Sequence, residues 1–226
     1  MIRKVMYGLL VGIAMMAHEG EAAETYGVSL SAADAALGKG DADTALSELA
    51  AALAQSTNDG EKGLALAKKG YVLAFIKQDL AGARTAVDES LKIQGLAPVA
   101  KVTALHVLAH CQMKAEKNFS GAQANLVEAK ALPGVDWAKP GIESSLGDCY
   151  RDLRQLDKAM ESYNALLGMA NAGADLKAGA NLNIGFIYQY DRKDFAKARE
   201  YYNAALALQP TLKTEVDRHI GSMAAP

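Results

Sequence analysis

IGFIYQYDRKDFAKAREYYNAALALQP, residues 184–210, carries the pattern that decides the fold. Ala198 is followed four residues later by Tyr202 and seven later by Ala205, and Phe195 stands three before it. On a helix those four positions share one face. The same pattern stands at Ala45, Ala83, Ala122 and Ala159, so the steps between the marker alanines are 38, 39, 37 and 39 residues. Their partners at plus four are Leu49, Val87, Leu126 and Tyr163, and at plus seven Ala52, Ser90, Ala129 and Leu166. A fixed period of this size marks stacked supersecondary units. Such arrays offer an extended surface rather than one deep cleft.

Each period divides into two predicted helices. Asp41, Asp79, Asn118 and Asp194 stand immediately before the first apolar residue of the second helix. Side chains of this kind accept a hydrogen bond from an otherwise orphaned amide. Gln155 holds the fourth position and is a weaker cap. The second helices are predicted over 42–55, 80–93, 119–131, 156–169 and 195–208. A small residue lies 12 or 13 positions before each marker alanine: Ala33, Gly70, Ala109, Gly147 and Gly185. Glycine inside a helix costs about 1 kcal/mol against alanine, so three of them point to close packing. The first helices are predicted over 26–38, 61–77, 99–115, 139–153 and 175–190. Five repeats follow, at about 26–56, 61–93, 99–131, 139–169 and 175–208. Pro210 ends the last, and 211–222 reads as a terminal cap with Leu212, Val216 and Ile220 on one face.

The chain has 226 residues, 50% of them hydrophobic and 22% charged, with a net charge of −2. That balance, with no basic cluster, gives no support to nucleic acid as a partner. Residues 1–22 read as a secretory signal. Arg3 and Lys4 precede an apolar run from Val5 to Ala17, and Gly20-Glu21-Ala22 offers small residues before Ala23. The run is shorter than the about 20 residues a membrane span needs. The expectation is an exported protein, periplasmic in a Gram-negative source, with a mature domain 23–226 that has no integral span. Cys111 and Cys149 stand 38 residues apart, at equivalent places in neighbouring repeats. The spacing leaves a bridge open but favours two buried thiols.

Repeats four and five resemble tetratricopeptide repeats. Ile184-Gly185, Tyr188, Ala198, Tyr202, Ala205 and Pro210 reproduce that family's spacing, as do Leu146-Gly147, Tyr150, Ala159 and Tyr163. Repeat three keeps Leu108-Ala109, Phe119, Ala122, Leu126 and Ala129, while the first two match mainly in their second helices. The resemblance covers about residues 26–210 and implies an all-α, right-handed superhelical solenoid of about five helix-turn-helix repeats. The period departs from the family's 34. Longer loops supply some of the excess, and repeats two, three and five carry one extra residue inside the hairpin.

The resemblance also implies that the first helices line a concave groove. Positions sharing that face are Tyr71 and Phe75; His106, His110 and Met113; Ser144, Asp148, Arg151 and Asp152; and Phe186, Gln189 and Tyr190. Aromatic ends and a titratable middle suit an extended peptide or protein segment, with Arg151 as a candidate carboxylate partner. The alternative, that Tyr71, Phe75 and Phe186 pack between repeats, stays open. The set of Lys, Asn and Arg with which some family members bind a C-terminal carboxylate is not found. His106 and His110 stand one helical turn apart, with Met113 beyond, which raises a second reading as a copper or small-ligand site. No cofactor is expected. G-x-S-x-G and H-E-x-x-H are missing, and Gly38-Lys39-Gly40 lacks the rest of a phosphate loop. The expected function is a non-catalytic interaction scaffold of the cell envelope. A third reading, an envelope enzyme, needs a carboxylate pair assembled between repeats. The oligomeric state is not encoded in any of these signals.

Overall fold

The computed structural model describes residues 21–223, and among them every regular element is helical. The predicted signal, residues 1–22, lies outside the described residues except for its last two, which begin the first helix. In chain order the helices are α1 (Glu21–Gly38), α2 (Ala42–Gln55), α3 (Asp59–Val72), α4 (Leu80–Leu91), α5 (Pro98–Cys111) and α6 (Phe119–Ala131). There follow α7 (Lys139–Asp152), α8 (Leu156–Gly168), α9 (Ala174–Phe186), α10 (Phe195–Leu208) and α11 (Lys213–Ser222). The first ten pair into five hairpins, as the period predicts, and α11 is the terminal cap. No described helix is long and apolar enough to cross a membrane. The chain forms two compact units, the N-terminal one ending at Ile142 and the C-terminal one beginning at Glu143, so the boundary falls within α7.

The core consists of the residues that recur. All five marker alanines and all their partners at plus four and plus seven are fully buried. Ser90, the one polar member, donates to the Gly63 carbonyl at 2.8 Å and so pays no penalty for burial. The small residues of the first helices face the plus-four positions. A Cβ on Gly185 would stand 2.5 Å from Tyr202 Cε1, one on Gly147 2.3 Å from Tyr163 Cε1, and one on Gly70 2.5 Å from Val87 Cγ1. Glycine is therefore required at these three places by the ring or methyl that fills the space.

Caps form where the sequence marks them. Asp41, Asp79, Asn118 and Asp194 accept from the amides of Thr44, Gly82, Gly121 and Lys197 at 2.9–3.1 Å. Gln155 makes no side-chain cap. The extra residue of repeats two, three and five takes a definite form. Their first helices end in π turns at Leu73–Lys77, Gln112–Glu116 and Ile187–Arg192. There the amides of Asp79, Asn118 and Asp194 reach back six residues, to the carbonyls of Leu73, Gln112 and Tyr188. In repeats one and four the bonds of Asp41 to Ala36 and Gln155 to Tyr150 span five. In every hairpin the residue before the cap is left-handed: Gly40, Gln78, Lys117, Arg154 and Lys193.

Cys111 and Cys149 are both free and buried. The Cys111 thiol donates weakly to the Leu80 carbonyl at 3.5 Å, and burial raises both thiol pKa values.

Candidate functional site

In the N-terminal unit, α3 with its π turn and α5 bring four of the predicted groove residues together. The Phe75 ring lies 4.8 Å from Tyr71, 5.5 Å from His106 and 4.4 Å from His110, centre to centre. The i, i+4 spacing of Tyr71 and Phe75, and of His106 and His110, sets each pair on one face. Tyr71, Phe75 and His110 are half-buried, whereas His106 is buried. Burial first, then His110, brings the His106 pKa down to about 4. Burial and the Lys114 charge bring His110 down to about 4 as well. Both imidazoles are thus neutral packing surfaces at ordinary pH. Met113 is buried in its π turn. Among the described residues no group of three or more His, Cys, Asp or Glu could hold a metal ion.

In the C-terminal unit the residues converge more tightly. Asp148 Oδ1 accepts from Tyr163 Oη at 2.7 Å and from Asn183 Nδ2 at 3.1 Å, and lies 3.5 Å from Arg151. Arg151 donates to Asn183 Oδ1 at 2.6 Å and lies 3.6 Å from Asp152. Burial works against the Arg151 charge, but Tyr163, Asp148 and Asp152 outweigh it and raise its pKa. Burial, then Asp148, raises the Tyr163 phenol far above its ordinary value. The predicted role of Arg151 as a waiting carboxylate partner is thereby corrected. Its guanidinium is already held by two aspartates and an amide of the same chain.

Beside this network opens a cavity of about 460 Å³. Arg151 and Asp152 of α7 and the following Arg154 line one side, and Phe186, Ile187, Tyr190 and Asp191 another. His219 of α11 completes it. Its ring lies 4.7 Å from Phe186, and Tyr190 Oη lies 2.9 Å from its Nδ1. Tyr190 is 49% exposed. Gln189, predicted beside it, is instead buried, because α11 covers it. Its Nε2 donates to the His219 carbonyl at 3.1 Å and to Ser222 Oγ at 2.8 Å, and its Oε1 accepts from Tyr202 at 2.5 Å. The reading of the groove stripe is corrected for His106, Met113 and Gln189, which the fold encloses. Ser144 is half-buried.

Six cavity or network residues lay outside the predicted stripe: Tyr163, Asn183, Arg154, Ile187, Asp191 and His219. For Asn183 a signal existed. It stands two residues before Gly185 and meets Asp148, one residue after Gly147. Lys68, two before Gly70, meets Asp34, one after Ala33, at 2.5 Å, the lysine buried and the aspartate half-buried. The same offsets thus join one repeat to the next within each unit.

The family model of the tetratricopeptide repeat matches residues 145–172 and 178–212. No curated protein matches the chain in sequence. Among solved structures, a crystal structure of MamA is 21% identical, with a TM-score of 0.56, covering 80% of this chain and 96% of that one. MamA from residue 41 to its end, from Desulfovibrio magneticus RS-1, is 21% identical with a TM-score of 0.59, covering 86% and 98%. YrrB, described as a tetratricopeptide-repeat protein with an unusual peptide-binding site, is 20% identical with a TM-score of 0.55, covering 84% and 90%. At this identity the likeness is one of fold.

Proposed function

Since the chain is a tetratricopeptide-repeat protein, we propose that it is a non-catalytic interaction scaffold that holds an extended segment of a protein partner on its first helices. The observation that carries this reading is the cavity of repeats four and five. It sets an exposed tyrosine beside a half-buried phenylalanine over a locked polar network, which is the composition of an interface anchor. Internal pairing of Asp148, Arg151 and Asn183 makes the wall rigid, so little ordering entropy is lost on binding. The name of YrrB, which speaks of a peptide-binding site, is in keeping with such use of the fold. The aromatic face of Tyr71, Phe75 and His110 is a second contact surface in the same reading.

A photo-reactive phenylalanine analogue at position 190 tests it. Cross-linking in the native host should yield a discrete adduct, lost on Phe186→Ala, while the same group at exposed Arg199 of α10 yields none. Equal adducts from both positions, or none from either, would remove the reading. We place the protein in the cell envelope on the strength of residues 1–22. Edman sequencing of the mature protein should begin at Ala23, and a cytoplasmic chain that keeps Met1 would overturn the placement.

A further inference from the structure

We propose that the cavity of repeats four and five accepts a cationic side chain, a lysine or an arginine, of the partner segment. The inference rests on the peptide-binding reading above and names the chemistry of its anchor. Charge is the first argument. Three carboxylates, Asp148, Asp152 and Asp191, stand around two guanidinium groups, Arg151 and Arg154. The lining itself holds Asp152 and Asp191 with both guanidinium groups. Asp148, against Arg151 outside the lining, brings the carboxylates of the cluster to one more than its cations. Arg151 is committed to Asp148, Asp152 and Asn183, so it offers an incoming anion little.

Asp191 is the second argument. Its side chain is only 15% exposed, yet its ion-pair partner Arg154 is 73% exposed and bonds it at 2.7 Å. A pair with one end so open to water contributes little. A partner cation entering from the cavity can displace Arg154 into solvent and take its place on a carboxylate that is otherwise largely screened from water. Asp152, on the rim, is within the same lining.

The aromatic wall is the third. Phe186, Tyr190 and His219 lie 4.7–6.4 Å from one another in tilted or edge-on pairs, with Tyr202 stacked on one side of His219 at 5.8 Å, and all three line the cavity. Rings arranged around a small cavity attract cations through their quadrupoles. The hydrogen bond between Tyr190 and His219 fixes two of the three rings. Burial and Arg218 keep His219 below its ordinary pKa, so it adds no positive charge at neutral pH. Arg218, whose guanidinium lies 3.5 Å from His219 Nε2, and Glu215 of α11 act on His219 with opposite sign.

The test uses acetylated and amidated peptides, identical but for a central Lys, Arg, Glu or Leu, titrated into the ¹⁵N-labelled protein. Amide shifts of Phe186, Tyr190 and His219 are followed by NMR. The Lys and Arg peptides should move these signals with about tenfold higher affinity than the Glu and Leu peptides, the gain of one charge-assisted contact. Tyr190→Ala and Asp152→Asn should each lower the affinity for the Lys peptide about threefold while the remaining amide spectrum is retained. Asp152→Lys should turn the preference toward the Glu peptide. Titration of the cavity by the Glu or Leu peptide as tightly as by Lys would overturn the cationic anchor and leave the peptide reading standing. Shifts in none of the four titrations would overturn both.

Discussion

Gly185 and Tyr202 solve the packing of a hairpin in one way, and Ala109 and Leu126, at the same places in repeat three, solve it in another. The larger ring requires the missing Cβ. Gly185→Ala sets a methyl 2.5 Å from Tyr202 Cε1 and should cost about 1–3 kcal/mol in urea unfolding. Adding Tyr202→Leu should recover some of that loss, with a favourable coupling in the double-mutant cycle. Recovery stays incomplete because the phenol bond to Gln189 goes with the ring. His106 gives a second residue-scale expectation. Its pKa is about 4 in the fold and 6.5 ordinarily, so the unfolded chain takes up the proton first as pH falls. Stability held by the neutral ring is complete above the ordinary value and is lost on descending to the folded one, by on the order of 3 kcal/mol. Urea midpoints should drop across that window, and His106→Leu should flatten the drop, leaving the share due to His110.

The spacing of 12 or 13 residues between small residue and marker alanine is the sequence form of the choice between a five-residue and a six-residue closing bond. The number was legible; the π turn that realises it was not, because propensity alone does not tell where an inserted residue is absorbed. All five turns close on a left-handed residue, and only Gly40 adopts that conformation without strain. Lys117→Gly should therefore raise stability by about 0.5–1 kcal/mol, seen as a higher thermal midpoint. A loss would mean that the lysine side chain contributes more than its backbone costs. The residue two before the cap also ties each π turn to the hairpin before it. Lys77 reaches Asp43 and Arg192 reaches Asp157, while Glu116 reaches Arg84 with the signs exchanged. Exposed pairs such as these add little energy, and they favour the in-register neighbour over its alternatives.

For the molecule as a whole, the repeat made the architecture readable, since each position was sampled five times. Of the candidate site, the helix faces named residues that do meet: Arg151, Asp152, Phe186 and Tyr190 at the cavity, and Phe75 beside Tyr71, His106 and His110. Gln189 and His219 lay beyond reach, because what covers one and brings the other is α11, an element with no repeat to announce its docking. Truncation after Gln209 tests the weight of that element. It uncovers Val216's contacts, removes both amide partners of Gln189 and takes one wall from the cavity. Amide exchange in α9 and α10 should quicken at least tenfold on truncation, while α1 to α4 keep their rates.

The left-handed turns have a further consequence in the test tube. Lys117, Arg154 and Lys193 are exposed, and each is a bond trypsin recognises. Held in a tight turn, such a bond is cut only when its hairpin opens, at a rate set by the population of the open form. Brief digestion should sever the hairpins singly, and the order in which the bands appear would rank the repeats by their local stability.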